Sequence, residues 1–407
     1  EREYIDEFSA ILEEAVRLRM RADVPVGVYL SGGIDSCTVL GLVARLSSKP
    51  VEAYTLTFDR EAYDEEPFAR EMAAYAGADF HPVPVTMRDL AENFSAAVRH
   101  AETFFNNGNS VAKFMLSRAV RDAGYKVVYT GEGADEVLGG YPPFRTDMLR
   151  HHRNGVDAGE KQRLLQELDA ANAVWRGLFP TGATASLDRV ERTLGFVPTV
   201  LAEYSAVGQQ RIGLFSDDFK MRFADHNSMD VFLDAVDIPG VLEGRDPLNA
   251  SLFVFARSFL ASHILTVLGD RMEMAHSIEG RVPFLDHHVV EYLGRVPVTL
   301  KINGMLEKYL LREAAKPVIT ETVYRRQKHP FSSPPMTSAP NEPFHQMLQE
   351  TLRGSALAAV PFVDQRKVVA LLDQLPLMSE AERIGFDASL TAILSACSLA
   401  EEFSLSA

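Results

Sequence analysis

Apolar residues first recur at helical spacing. Ile5, Phe8, Leu12 and Val16 fall three or four positions apart across residues 3–20. That period predicts an amphipathic helix laid on whatever follows. Past Pro25 the pattern changes. A continuous apolar run over residues 26–30 reads as a buried strand, 36–46 as a helix, 51–58 as a second strand and 65–76 as a helix. Residues 80–85 read as a short third strand, 110–122 as a helix and 126–130 as a fourth strand. Strands that alternate with helices predict a parallel sheet covered on both faces, joined by right-handed crossovers. The expected fold class is α/β: a doubly wound parallel sheet with extensive helical additions. Ligands of such sheets sit beyond the carboxyl ends of the strands.

The rest of the chain is mostly helical. Residues 151–260 alternate polar helix-like stretches with loops such as Pro180-Thr-Gly-Ala, and read as a helical insertion after a core at 22–150. Residues 251–315 read as helix, broken at Arg281-Val-Pro-Phe and at Val296-Pro297. Residues 329–343, rich in Pro and Ser, predict a loop or arm, and 344–407 return to helix. The parse is one domain over 1–407, with segments at 22–150, 151–260, 261–335 and 336–407. No internal repeat or low-complexity tract interrupts it.

Two strand ends carry chemistry. The first strand runs into Ser31-Gly32-Gly33-Ile34-Asp35-Ser36, a glycine turn at a helix start. Such a turn offers backbone N–H groups and the positive end of a helix dipole to an anion. Small residues let a phosphate approach closely. Asp35 repels a phosphate unless a cation bridges them, so the economical reading is a Mg²⁺-pyrophosphate site. On turn chemistry alone an ordinary turn is an equal alternative. The familiar phosphate loop is absent, because no Gly-x-x-x-x-Gly-Lys-Ser/Thr occurs. The fourth strand runs into Gly131-Glu-Gly-Ala-Asp-Glu-Val-Leu-Gly-Gly-Tyr141, where Glu132, Asp135 and Glu136 crowd one turn. They read either as acids favouring a helix N-terminus or as hard oxygen ligands for a cation. If the first and fourth strands lie close, both turns open onto one crevice, and Asp35 and Asp135 share one Mg²⁺.

Composition narrows the classes. The 407 residues are 46% hydrophobic and 24% charged, which is enough to bury a large core. The net charge of −15 disfavours nucleic acid and anionic membranes as partners. Cys37 and Cys397 are the only cysteines, so there is no disulfide framework or cysteine zinc cluster, and a reducing cytoplasm is expected. Cys37 reads as packing rather than as a nucleophile. No run reads as long and apolar enough to span a bilayer, and the acidic N-terminus does not read as a signal peptide.

The hexapeptide 31–36 resembles the pyrophosphate loop of the ATP pyrophosphatases. The block 131–141 resembles a signature of the asparagine synthetases, in their synthetase half. Three further blocks agree: Gly269-Asp-Arg-Met-Glu-Met-Ala-His-Ser-Ile-Glu-Gly-Arg-Val-Pro-Phe-Leu-Asp286, Glu307-Lys-Tyr-Leu-Leu-Arg-Glu313, and Arg325-Arg-Gln-Lys-His-Pro-Phe331. Five blocks in order cover most of residues 1–335. The resemblance implies a sheet of the adenine nucleotide α-hydrolase-like type, with ATP and Mg²⁺. It implies that Ser31, Gly32, Gly33 and Ser36 hold pyrophosphate, and that Asp35 and Asp135 hold the metal. Leu30, Leu56 and Gly131 would face the adenine. Lys328 would be the cation that lets two anions meet, Lys308 a further ATP contact, and Glu132 the group taking the amine's proton. Lys308 and Arg312 equally read as a surface pair with Glu307 and Glu313. Tyr141 reads as acyl-site lining or as core, and Asp270 and Arg271 as substrate-side or structural. The implied reaction adenylates a carboxylate, most simply aspartate, and passes the acyl group to ammonia or an amine. The alternatives are an amide or lactam synthetase of specialised metabolism and, more remotely, a non-catalytic nucleotide-binding protein. An oligomer is compatible with either.

The chain departs from that family in two places. The usual member begins with a glutaminase domain whose first residue is a catalytic cysteine. This chain starts at Glu1, and neither Cys37 nor Cys397 fits that role. The expectation is that it uses free ammonia, an amine, or a separate glutaminase domain or subunit. Residues 102–110, Glu-Thr-Phe-Phe-Asn-Asn-Gly-Asn-Ser, lack the arginine that many asparagine synthetases carry there for the substrate carboxylate. That puts aspartate in question.

Overall fold

The computed structural model describes residues 1–152, 157–172, 175, 179, 186–328, 331–337 and 342–405. The loop expected at residues 180–183 and part of the arm at 329–343 lie outside these residues. Five parallel strands form one sheet in the order β3-β2-β1-β4-β5: β1 Val26–Tyr29, β2 Glu52–Phe58, β3 Asp79–Val85, β4 Val127–Tyr129 and β5 Glu279–Arg281. The central strands are short and apolar, as strands buried on both faces must be. β3 carries Pro82 and Pro84, and it is an edge, where a missing N–H donor is tolerated. β5 was not anticipated. It has three residues, Glu-Gly-Arg, with no apolar pattern, and it pairs with β4 through Val127–Glu279 and Tyr129–Arg281.

The helices α1 Arg2–Arg19, α2 Ile34–Leu46 and α3 Glu66–Ala76 fall close to the expected positions. α1 buries Ile5, Phe8, Leu12, Ala15 and Val16, and its Val16 carbonyl accepts a bond from the Tyr129 hydroxyl at 3.1 Å. Gly41 lies where α2 meets the 318 segment: a Cβ there would stand 2.1 Å from the Val318 carbonyl oxygen. A helix between the third strand and residue 110 was missed. This is α4, Met87–Ala101, opened by a capping box in which Thr86 and Asp89 satisfy each other's backbone N–H. Its signal was present, because Met87, Leu90, Phe94, Ala97, Val98 and Ala101 repeat at helical spacing and are buried. α5 follows at Asn109–Asp122.

The chain divides into two compact units. One comprises Glu1–Val85, Ala112–Leu168 and Asp246–Ser332, and contains the whole sheet. Within it, a continuous helix over Pro247–Met274 widens to π geometry between Ala256 and Asp270. This helix corrects one expectation. By length and composition it is long and apolar enough to cross a membrane, with a mean hydropathy of 1.6 and a third of its apolar window buried. The other unit comprises Thr86–Val111, Asp169–Arg245 and Ser333–Ala407. There α4 packs on the helices Pro343–Arg353 and Asp387–Glu402, with Phe94 edge-on to Phe105 and Phe344 at 5.8 and 5.4 Å. Asp387 is buried, and its Oδ1 accepts bonds from the Thr337 N–H at 2.8 Å and the Thr337 hydroxyl at 3.0 Å.

Candidate active site

β1 and β4 are direct neighbours, paired through Val26–Val127 and Val28–Tyr129. Their carboxyl ends therefore launch the 31–36 and 131–135 turns side by side. The turns touch: a Cβ on Gly131 would stand 2.8 Å from the Ser36 nitrogen and 2.9 Å from Asp35 Cβ. Gly32 sits at φ +68°, where a side chain would also meet Phe68 Cβ at 2.9 Å. The Ser36 hydroxyl accepts from the Ser31 N–H at 3.0 Å and reaches the Gly33 carbonyl at 3.2 Å. No side chain caps the start of α2, so its first-turn N–H groups stay available to an anion.

Two aspartates and two lysines meet behind this turn. The Lys308 ammonium lies 2.6 Å from both carboxylate oxygens of Asp35 and 2.5 Å from Asp135 Oδ1. The Lys328 ammonium lies 2.7 Å from Asp135 Oδ2 and 3.5 Å from Asp35 Oδ2. Burial alone would lower the Lys328 pKa, but Asp135 and Asp35 outweigh it and hold the ammonium well above its ordinary value. Burial would likewise raise Asp135, yet Lys308 and Lys328 pull its carboxyl below the usual range. Lys308 is fully buried, which rules out the surface-pair alternative. It precedes the helix Tyr309–Ala315 at φ +53°. Gly140 makes room for the cluster, since a Cβ there would fall 1.8 Å from Asp135 Oδ1.

A cleft opens over these turns. Leu30, Ser31, Asp35 and Ser36 line it from the first turn, and Gly131, Glu132 and Asp135 from the second. Leu56, Phe58 and Phe331 give it an apolar part of its lining, and Lys328, on the same segment as Phe331, lines it too. Gly32, Gly33 and Lys308 are not among the residues that line it. Tyr141 donates its hydroxyl to Glu136 Oε1 at 2.8 Å and packs its ring against Phe255 at 5.4 Å. Burial, with Asp135 adding repulsion, pushes the Glu136 carboxyl up to about 8. Asp270 is exposed and Arg271 half-buried on the long helix, and neither lines the cleft.

Several positioning groups escaped the sequence reading. Glu307 Oε1 accepts the Lys328 backbone N–H at 2.8 Å and pairs with Arg312 at 2.5 Å, while its Oε2 lies 3.3 Å from Arg145. Arg312 also donates to the carbonyls of Tyr324 and Arg326. Arg326 donates to the Gly32 carbonyl at 3.0 Å and pairs with Glu65 at 2.7 Å. These contacts tie the lysine-bearing segment to the glycine turn. Glu307, Arg312 and Arg326 stand in the quoted blocks; Arg145 and Glu65 do not, and only the folded chain identifies them. Cys37 is buried and burial pushes its thiol up, which fits a packing role.

An all-parallel sheet with this paired turn at its β1/β4 junction defines a protein of the ATP-pyrophosphatase type. The asparagine synthase family profile matches residues 7–393, and the chain belongs to that family. It is 33% identical over 376 residues to "Amidase chyE" of Penicillium rubens, covering 87% of this chain and 56% of that one. It is 30% identical over 384 residues to "Amidase chry2" of Gibberella zeae, covering 89% and 57%. "Asparagine synthetase [glutamine-hydrolyzing] 1" of Bacillus subtilis is 27% identical over 334 residues, covering 81% and 50%. The chain spans about half the length of these relatives.

Proposed function

We propose that this chain is an ATP-dependent, AMP-forming amide synthetase. The observation that carries the reading is the convergence of the two glycine turns, Asp35, Asp135 and Lys328 on one cleft. The residues fit Mg²⁺-ATP. Asp35 and Asp135 reach the same ammonium groups and so stand close enough to share a cation. No group of three ligating side chains occurs among the described residues, and Mg²⁺ commonly takes only one or two carboxylates beside phosphates and water. When bound, the metal neutralises phosphate charge.

The chemistry follows from charge control. A substrate carboxylate oxygen attacks the α-phosphate, the bond to the β-phosphate breaks, and pyrophosphate leaves. The Ser31–Ser36 turn holds the departing group through backbone N–H donors. Lys328 stabilises the charge that accumulates as two anions meet. Ammonia or an amine then attacks the acyl carbon, its proton passes to Glu132, and AMP leaves with the acyl oxygen. Leu30, Leu56 and the Gly131 turn bracket the adenine. The nitrogen source is ammonia, an amine, or a glutaminase domain or subunit.

Aspartate is the simplest acid. A second reading, a different acid of specialised metabolism, is favoured by the arginine-free segment 102–110 and by the higher identity to the two proteins named amidases than to the Bacillus synthetase. Pyrophosphate release measured with ATP, Mg²⁺, ammonium and a panel of carboxylates tests both. Release with aspartate supports the first reading, release with another acid alone supports the second, and ATP binding without release from a broad panel removes both.

A further inference from the structure

Glu132 receives the amine's proton in the proposed reaction, yet its own turn does little to aim its side chain. The Glu132 backbone N–H donates to the Thr130 hydroxyl at 3.1 Å, which fixes the main chain. The side chain keeps 32% of its surface accessible, and no described residue donates a hydrogen bond to its carboxylate. Its charged neighbours push it away. Burial above all holds the Glu136 and Glu273 carboxyls up, at about 8 and about 7, and the charge on Glu132 adds to both. That repulsion is mutual, and it favours a Glu132 carboxylate turned out to water.

One ammonium opposes that push. Lys113 stands on α5 and is 7% exposed. Its Nζ lies 4.7 Å from the centre of the Tyr29 ring and 3.5 Å from Glu132 Oε1. The buried stem and the ring face fix where the ammonium stands. A lysine is seldom buried without an anion, because desolvating its charge is costly, and among the described residues Glu132 is the carboxylate with which it pairs. Both side chains line the cleft. A charge-assisted N–H···O⁻ bond closes to about 2.7–2.9 Å, so this pair attracts through charge without a closed hydrogen bond. The Glu132 oxygens are therefore held in place with their lone pairs open to an incoming N–H. The pairing is present before any acid or amine arrives.

We propose that Lys113 is a positioning residue for the amide-forming step: it holds the Glu132 carboxylate over the cleft, where the amine attacks. The proposal rests on the reading of the cleft as an acid-adenylating site with Glu132 as proton acceptor. In that step the amine nitrogen bonds to the acyl carbon, and the bond from that carbon to the AMP oxygen breaks with its electron pair leaving on AMP. One N–H proton passes to Glu132. Adenylation uses none of this, so the two half-reactions should respond differently to loss of Lys113.

Rapid-quench kinetics with Mg²⁺-ATP, ammonium and the acid that releases pyrophosphate from the wild type separates them. Lys113→Met should slow amide formation by about tenfold or more, the scale of a misplaced reacting group, while first-turnover pyrophosphate release persists. Hydroxylamine in place of ammonium should still trap the acyl group as its hydroxamate. Lys113→Arg should restore most of the amide rate, which separates charge from packing, and Lys113→Gln replaces Lys113→Met if the latter does not fold. In a Glu132→Gln background, Lys113→Met should cost little more, because it acts through Glu132. Losses that add in the double variant overturn the proposal and leave the adenylation reading intact. So does first-turnover pyrophosphate release that falls as far as amide formation. Glu132→Gln with a full amide rate overturns the proposal together with the role of Glu132. No pyrophosphate release from the wild type with any acid overturns the adenylation reading and this proposal with it.

Discussion

Lys308 and Lys328 divide the work of one charge cluster. Lys308 is fully enclosed and held by both aspartates, so its role is to keep two buried carboxylates together. Lys328 keeps 12% of its side chain accessible and faces the cleft. Lys328→Met should therefore lower pyrophosphate release by about a hundredfold or more, with little change in a urea melt. A loss of both activity and fold would assign it to the scaffold with Lys308. Glu136 gives a pH dependence of known sign. Its carboxyl is raised from an ordinary 4.5 to about 8, so between these values the folded chain holds a proton that the unfolded chain has released. That contribution to stability is complete below about pH 4.5 and is lost as pH rises through 8. Glu136→Gln should remove it, so the variant's melting temperature should fall less between pH 6 and pH 9 than the wild type's.

At the scale of elements, the site depends on how closely two turns approach. Gly131→Ala would place a methyl group against the Ser36 nitrogen and Asp35 Cβ, and backbone on both sides cannot yield cheaply. The expected result is weaker ATP binding, read by calorimetry, with a melting temperature lowered by several degrees. Four of the five strands were legible, β1, β2 and β4 as largely apolar runs and β3, Asp-Phe-His-Pro-Val-Pro-Val, from its place in the alternation of strands and helices. β5 was not, since its three residues owe their extended state to β4 rather than to their own pattern. α4 was legible but overlooked, its capping box hidden in an otherwise ordinary Thr-Met-Arg-Asp. The turns and their carboxylates were visible because the chemistry is local to each block. Lys113 and Glu65 were invisible for the opposite reason. A single lysine on a helix says nothing until the fold places it 3.5 Å from Glu132. The membrane-length helix lies almost wholly within a stretch read as helix from residue 251, but its length and apolar content were overlooked.

At the scale of the whole molecule, neither unit is a continuous stretch of chain. A chain ending at residue 332 retains the entire sheet but strips α4 of both helices on which it packs. It should bind a hydrophobic dye strongly and elute as aggregates in size-exclusion chromatography, whereas the full chain should do neither. A truncated chain that elutes as a compact monomer would show that α4 has other cover. The same interleaving has a consequence during synthesis. α4 leaves the ribosome before more than half of the chain, including the helices Pro343–Arg353 and Asp387–Glu402. At about 5–20 residues per second, the Leu90, Phe94 and Val98 face waits on the order of tens of seconds for its partners. For that interval the nascent polypeptide presents a greasy helix with nothing to cover it, which makes it a natural client for a holdase chaperone.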